Sequence, residues 1–195
     1  VRLELSLKGY SGEQTRAKAT AVLPALGAET AEAEISFGGT ARVELTMEVE
    51  RPLLWSHETP SLYDCLLLLE ADGETTYYAF RFGFRKVEIR KNVLYLNNKP
   101  LKIHGVNRHD YDPDTDWTLS GERYRQDIAL MKRHNVNAVR TSHYPNDPRL
   151  YDLCDEWGIL VMDENDLESH GARSKLPASD PRWTNACVDR MRRMV

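Results

Sequence analysis

From about residue 93 onward the chain repeats one pattern: a short apolar run, a turn, and then a stretch with helical spacing. The first run leads through 101–103 towards Asn107, the second covers 136–140 and the third covers 159–162. A helix is expected over 121–134, because Tyr124, Ile128 and Met131 fall at i, i+4 and i+7 on one face. Asn135 suits the left-handed residue that ends such a helix. Asp147-Pro148 supplies a cap and a first-turn proline for the next helix, and Gly158 stops it after Trp157. Asp180-Pro181 opens another, with Trp183, Cys187, Met191 and Met194 as its inner stripe. Strands separated by helices in this way run parallel. The nearly unbroken apolar run at 159–162 is of the kind buried on both faces. An eight-stranded α/β barrel needs about 250 residues. The second half therefore holds roughly the first three β/α units of an incomplete (β/α)8 TIM barrel. Such an open arc leaves strand edges and an apolar inner face uncovered, and self-association is expected.

The first half follows a different period. Leu3, Leu5 and Leu7 alternate with Arg2, Glu4 and Ser6, and Val43, Leu45, Met47 and Val49 alternate with acidic residues and Thr46. Tyr78, Phe80, Phe82 and Phe84 share a third such face. Alternation with period two places one side of a strand on a core and the other in water. About seven short runs, divided by turns such as Lys8-Gly9, Gly38-Gly39 and Asp72-Gly73, predict an immunoglobulin-like β-sandwich. The aperiodic stretch 52–63 is expected to be a packed loop in which Trp55 plugs the sandwich or its domain interface rather than binding a sugar. These patterns divide the chain into a sandwich over 1–88 and the opening of the barrel over 89–195.

Charge and cysteine usage narrow the function classes. A net charge of −4 gives no reason to expect nucleic acid or an anionic membrane as a partner. No apolar run approaches the roughly 18 residues of a membrane helix. Cys65, Cys154 and Cys187 sit in apolar patterns without metal-like spacing, so free buried thiols in a reducing compartment are expected. Val1 is not a natural start, so the chain is expected to be a segment of a longer one.

The residues with chemistry cluster after the three apolar runs. His109, His143, Glu168 and His170 follow them in order, and barrel active sites form from the loops at the carboxyl ends of the strands. In extended chain Glu168 and His170 point to the same side. A carboxylate and an imidazole so placed can share a divalent ion such as Mg²⁺ or Mn²⁺, with a further ligand from elsewhere; the alternative is an ordinary surface Glu-x-His. His109 and His143 either donate to sugar hydroxyls or are hydrogen-bonded beneath a loop. Arg140 and Asp163 are expected to form a structural ion pair in the barrel mouth, while His57, His104 and His134 belong to the scaffold. There is no phosphate loop, no Gly-x-Ser-x-Gly elbow and no dinucleotide fingerprint.

Several stretches resemble glycoside hydrolase family 2. They are Gly83-Phe84-Arg85-Lys86-Val87, Leu96-Asn97-Asn98-Lys99-Pro100, Gly105-Val106-Asn107-Arg108-His109 and the run from Asn137 through Arg140-Thr141-Ser142-His143-Tyr144-Pro145-Asn146. Leu54-Trp55-Ser56 through Pro60-Ser61-Leu62-Tyr63 is similar to the end of the family's sandwich domain. Asp163-Glu164-Asn165-Asp166-Leu167-Glu168-Ser169-His170-Gly171 resembles the β-galactosidase branch. The resemblance implies a retaining hydrolase that cleaves terminal β-D-galactose from substrates such as lactose. It also implies that Glu168 and His170 are two ligands of an active-site Mg²⁺, and that His109 and His143 contact the galactosyl group. The nucleophile and the acid/base Glu are expected on later barrel strands, beyond Val195, so the chain by itself should be inactive. A homo-oligomeric bacterial cytoplasmic enzyme is the expected whole. The alternatives are a β-glucuronidase or β-mannosidase of the same family, or a non-catalytic carbohydrate-binding or adhesion module built on the sandwich.

Overall fold

The computed structural model describes residues 1–10, 14–27, 29–172, 175–177 and 179–195. They divide into two units, 1–55 with 61–84 and 56–60 with 85–195.

The first unit is a sandwich of antiparallel strands. β1 (Arg2–Lys8) pairs with β4 (Thr40–Thr46). A second sheet has the order β3-β2-β5-β6, from β2 (Thr15–Leu23), β3 (Glu29–Phe37), β5 (Tyr63–Ala71) and β6 (Glu74–Phe82). The alternation in β1 and β4 has its expected outcome, with the leucines and Val43 turned inward and the charged residues outward. On β2 the inward row is Ala17, Ala19, Ala21 and Leu23, all buried. Small residues on that central strand let the larger Leu45 and Met47 of the facing side pack close, with Cys65 beside them. The alanine- and glutamate-rich composition of β3 carries helical propensity, but its register against β2, from Thr15↔Phe37 to Leu23↔Glu29, overrides it.

Two expectations for this unit need correction. Among the described residues there are six strands rather than about seven; the segment before β5 contributes one parallel bridge, Leu54↔Phe84. The aromatic face of β6 is also only partly covered. Phe82 and Phe84 pack with Tyr63 at ring separations of 5.2–6.5 Å, whereas Tyr78 and Phe80 remain 52% and 41% exposed. β6 lies at the edge of the four-stranded sheet, and the facing sheet is only two strands wide. Trp55 is buried as expected. Its backbone N–H donates to the Phe84 carbonyl at 2.8 Å, and a Cβ on Gly83 would come within 2.5 Å of the Trp55 Cβ, so only glycine fits there.

The second unit opens with a meander, β7 (Val87–Arg90), β8 (Val93–Leu96) and β9 (Lys99–Pro100). Its two hairpins turn on Lys91-Asn92 and Asn97-Asn98, all four at positive φ, as two-residue hairpin turns of the primed kind require. Then come β10 (Gly105–Arg108), α1 (Gly121–Arg133), β11 (Ala138–Thr141), α2 (Pro148–Trp157), β12 (Leu160–Met162) and α3 (Thr184–Met194). β10, β11 and β12 form a parallel sheet in that order, with Asn107↔Arg140 and Arg140↔Met162 in register. The caps are those the sequence predicts. Asp147 accepts from the Arg149 N–H at the start of α2, Gly158 ends it at φ 71°, and Asn135 is left-handed at φ 56°. Tyr124, Ile128, Val139, Leu150, Leu153, Cys154 and Ile159 make the core between helices and sheet.

On the other side of that sheet, two further expectations fail. β12 is not buried on both faces: Val161 is 38% and Met162 58% exposed. α1 and α2 cover one face of the three-stranded sheet, and among the described residues the other face lines an open cleft. The inner stripe predicted for α3 is half covered: Cys187 and Met194 are half-buried, whereas Met191 and, just before the helix, Trp183 are 46% and 36% exposed.

Candidate active site at the strand ends

The carboxyl ends of β10, β11 and β12 lie side by side, and the loops that follow carry the polar residues. Thr141, fully buried at the end of β11, donates through Oγ1 to Asp163 Oδ1 at 2.6 Å and accepts from the Glu164 N–H at 3.2 Å. Tyr151 of α2 donates to the same Asp163 oxygen at 3.0 Å and accepts from the Asn146 N–H at 2.7 Å. Burial and the neighbouring Asp163 push the Tyr151 hydroxyl up to about 12, so it stays a donor at neutral pH. Asn146 accepts from Arg108 at 3.1 Å. Arg108 is buried and pairs with Asp110 at 2.8 Å and Asp127 at 3.0 Å, and Tyr124 donates to Asp110 at 2.9 Å. One hydrogen-bonded chain thus ties all three loops together, and a buried cation with two carboxylates is the arrangement that a low-dielectric site tolerates.

On that frame stand the two histidines. Their rings meet edge to face with centroids 5.8 Å apart. Tyr144 packs against His109 at 6.1 Å, and its hydroxyl lies 3.4 Å from His109 Nδ1. His143 Nδ1 lies 2.7 Å from Glu164 Oε2 and 3.0 Å from an Arg140 nitrogen. A carboxylate only accepts and a guanidinium only donates, so Nδ1 can bond one of them at a time; with the proton on Nδ1 the shorter contact, to Glu164, is the hydrogen bond and Nε2 is left for another partner. Arg140 Nε donates to Glu164 Oε1 at 2.5 Å. Burial alone would raise the Glu164 pKa, but hydrogen bonds from Arg140 and His143 outweigh it and hold the carboxyl below its ordinary value. The expected Arg140–Asp163 pair is therefore corrected. Arg140 is bound to Glu164, because Asp163 is already committed to Thr141 and Tyr151.

Glu168 lines the same cleft as His143, Arg140, Asp163 and Glu164, a space of about 440 Å³. His170 follows at the start of a short 3-10 turn. Its N–H donates to Glu168 Oε1 at 2.7 Å, and its Nδ1 lies 3.9 Å from that oxygen. The structure thus brings His109, His143 and Glu168 to one mouth and keeps His170 beside Glu168, although His170 does not line the cleft. Among the described residues no three His, Cys, Asp or Glu side chains converge as a metal-holding group.

Sequence reasoning passed over Glu164, Asn146 and Tyr144 as site residues. The signal for Glu164 was its position directly past an apolar strand, where a buried carboxylate needs a purpose. Asn146 and Tyr144 could be singled out only through tertiary pairing. Of the scaffold histidines, the His104 N–H donates to Asn137 Oδ1 and its carbonyl accepts from the Asn137 N–H, and the His57 carbonyl accepts from Lys132.

Comparison with known proteins identifies the family. Residues 1–85 match the model of glycosyl hydrolases family 2, and residues 87–195 match the TIM barrel domain of glycosyl hydrolases family 2. The β-galactosidase of Streptococcus thermophilus is 38% identical over 99% of this chain, and that of Vibrio cholerae is 48% identical over 79%. The chain spans 20% and 15% of those two enzymes. A solved family 2 β-galacturonidase from Eisenbergiella tayi, bound to galacturonate, has a TM-score of 0.84 at 28% identity, covering 99% of this chain and 34% of its own. A β-glucuronidase from Bacteroides uniformis has a TM-score of 0.72 at 28% identity, covering 82% of this chain and 20% of its own. This chain belongs to glycosyl hydrolase family 2.

Proposed function

We propose that the protein carrying this chain hydrolyses β-galactosides with retention of configuration, and that these residues form one wall of its galactose-binding site. The observation that carries the reading is the pair His109 and His143, at the ends of adjacent parallel strands, with His143 Nδ1 committed to Glu164. An imidazole held in one tautomer presents Nε2 in a defined direction. It can bond a sugar hydroxyl more strongly as the ring flattens towards the oxocarbenium-like transition state. That the two curated relatives are named β-galactosidases supports galactose as the sugar in this reading.

Retention needs two carboxyl groups about 5–5.5 Å apart, one as nucleophile and one as acid/base. Glu164 is suited to neither role. Both of its oxygens are engaged by cations or imidazole, and a carboxyl held below its usual range is a poor proton donor at neutral pH. The resemblance to the family implies that the catalytic pair lies on other barrel strands of the protein, and the 195-residue chain is expected to have no turnover of its own.

Glu168 and His170 are the residues that would hold Mg²⁺. Two ligands of one ion at about 2.1 Å can stand no more than about 4.2 Å apart. Neighbouring ligands of an octahedral ion stand only about 3.0 Å apart, so Glu168 Oε1 and His170 Nδ1, now 3.9 Å apart, would have to close up to share the ion in a site completed by other groups. When bound, the ion would stabilise negative charge and order water beside the acid/base residue.

A substrate panel on the full-length protein tests the reading. Turnover of β-galactosides above β-glucuronides, β-galacturonides and β-mannosides is expected, and preference for a uronide would overturn it. Tyr78 and Phe80 stand exposed on β6, as a sugar-binding sandwich would require. Glycan binding by the 195-residue chain without galactosidase activity in the full-length protein would favour that second reading.

A further inference from the structure

We propose that the two histidines are held in opposite tautomers, His109 by Tyr144 and His143 by Glu164, so that one ring donates to a sugar hydroxyl and the other accepts from it. Tyr144 is then a positioning residue for His109. The inference rests on the galactosidase reading and adds to it the hydrogen-bonding sense of each ring.

The turn after β11 carries one member of each pair. The Tyr144 N–H donates to the Thr141 carbonyl at 3.0 Å, which fixes the backbone bearing His143 and Tyr144. From there Tyr144 reaches back to the loop after β10. Its hydroxyl accepts from the Asp110 N–H at 3.1 Å and lies 3.4 Å from His109 Nδ1. Burial pushes the Tyr144 hydroxyl above its ordinary pKa, so it keeps its proton at neutral pH. Among the described residues the acceptor in reach of that proton is His109 Nδ1. Were Nδ1 protonated instead, the hydroxyl would accept twice and its own hydrogen would have no partner there. Nδ1 of His109 is therefore the acceptor, and the proton of the neutral ring sits on Nε2. At 3.4 Å the contact is longer than a settled hydrogen bond, as site contacts commonly are before a ligand draws them together.

His143 is the reverse case. Its Nδ1–H donates to Glu164 Oε2 at 2.7 Å, which leaves Nε2 a bare acceptor. Two neutral rings side by side thus offer one N–H and one lone pair. A hydroxyl has both a hydrogen to give and lone pairs to share, so the mixed pair satisfies it where two like rings would not. Bonds of about 2.8 Å to one oxygen put their nitrogens no more than about 5.6 Å apart. The ring centroids stand 5.8 Å apart, edge to face, so the pair can share one hydroxyl or take two on neighbouring carbons.

Neutron diffraction from deuterium-exchanged crystals of the full-length protein locates the protons directly. Deuterium is expected on His109 Nε2, on His143 Nδ1 and on the Tyr144 hydroxyl, aimed at His109. Deuterium on His109 Nδ1, or on both nitrogens of either ring, would overturn the proposal. Kinetics supplies a second readout, from galactosides whose hydroxyls are replaced one at a time by fluorine, which accepts without donating, or by hydrogen, which does neither. At the hydroxyl that the pair holds, Tyr144→Phe should shrink the fluoro-over-deoxy ratio of kcat/KM roughly threefold and leave the hydroxyl-over-fluoro ratio in place. Glu164→Gln should do the reverse, because its amide and Arg140 can both donate to His143 Nδ1 and turn Nε2 into a donor. Equal losses on all three substrates in both variants would assign Tyr144 and Glu164 to packing and sink the idea. Should either variant fail to fold, the wild-type proton positions decide. A full-length protein that turns over no β-galactoside would remove the functional reading, whereas misplaced protons in an active galactosidase would strike the tautomers alone.

Discussion

The ends and the middles of β10, β11 and β12 are built on different terms. At the ends, Arg108, Asp110, Asn146, Tyr151, Asp163, Arg140 and Glu164 bond across three loops at 2.5–3.1 Å, with Arg108 Nη2 left without a partner among the described residues. In the middles, Val106 and Val161 are 39% and 38% exposed on a face that, among the described residues, stays open. The contrast separates two jobs usually combined in a barrel. The mouth takes its geometry from polar side chains near in space, so it does not depend on a packed interior. The inner face depends on apolar neighbours, and among the described residues it has few.

The sharpest way to break that comparison is to remove the charge on which the mouth is centred. Arg108→Met leaves Asp110 and Asp127 without their shared cation in a buried setting, and stability should fall by about 3–5 kcal/mol. Urea unfolding followed by circular dichroism measures this. A loss under about 1 kcal/mol would mean that water replaces the guanidinium and that the mouth is less dry than its burial implies.

Next in size is the link between β11, α2 and the loop after β12. Tyr151→Phe removes a donor to Asp163 and the acceptor for the Asn146 N–H, and should cost about 1–3 kcal/mol. If the loops are coupled as described, Tyr151→Phe and Thr141→Val should be non-additive, since both serve the same Asp163 oxygen. Additive losses would show that the chain of bonds transmits nothing from loop to loop.

A smaller effect comes from acid. The folded-state pKa of Glu164 lies below its unfolded value, so its contribution is complete above the ordinary carboxylate range. That contribution is lost as the pH falls through the lowered folded-state value. Unfolding free energy measured from neutral pH downward should therefore fall more steeply in the wild type than in Glu164→Gln. Identical slopes would mean that the Arg140–Glu164–His143 cluster contributes nothing in solution.

What could be read from sequence divides along the same line. Backbone punctuation was legible: Asp147, Gly158 and Asn135 each act where their chemistry demands, because caps and left-handed residues are local matters. Gly158 is constrained twice, since a Cβ there would also lie 2.6 Å from the His57 carbonyl oxygen, a contact no local pattern reveals. The placing of His109 and His143 was legible too, because strand ends in a parallel sheet face one pole. Which carboxylate takes Arg140 was not. Asp163 and Glu164 are adjacent in sequence, and the choice turns on Thr141 and Tyr151 claiming the first of them. The exposure of β12 was misjudged because an apolar run reports that a strand would be buried in a closed barrel, not that its cover lies within the same stretch of chain. The open aromatics of β6 teach the same lesson for the sandwich.

The weakest effect should appear on that open face, and there the comparison can be tested from its other side. Met162 is 58% exposed at the end of the edge strand β12, so Met162→Thr removes little buried area and should change stability by no more than about 0.5 kcal/mol. Its effect belongs to association instead. A cleft of about 670 Å³ lined by Leu94, Leu96, Ile103, Val106, Val161 and Met162 is apolar enough to draw two copies of the isolated chain together. Sedimentation of the wild type at increasing concentration should show self-association, and Met162→Glu should weaken it by placing a charge on the apolar surface. A wild-type chain that stays monomeric throughout, or a Met162→Thr variant that loses several kcal/mol, would show that the inner face is already covered. The contrast between a mouth held by its own bonds and an interior awaiting its neighbours would then be lost.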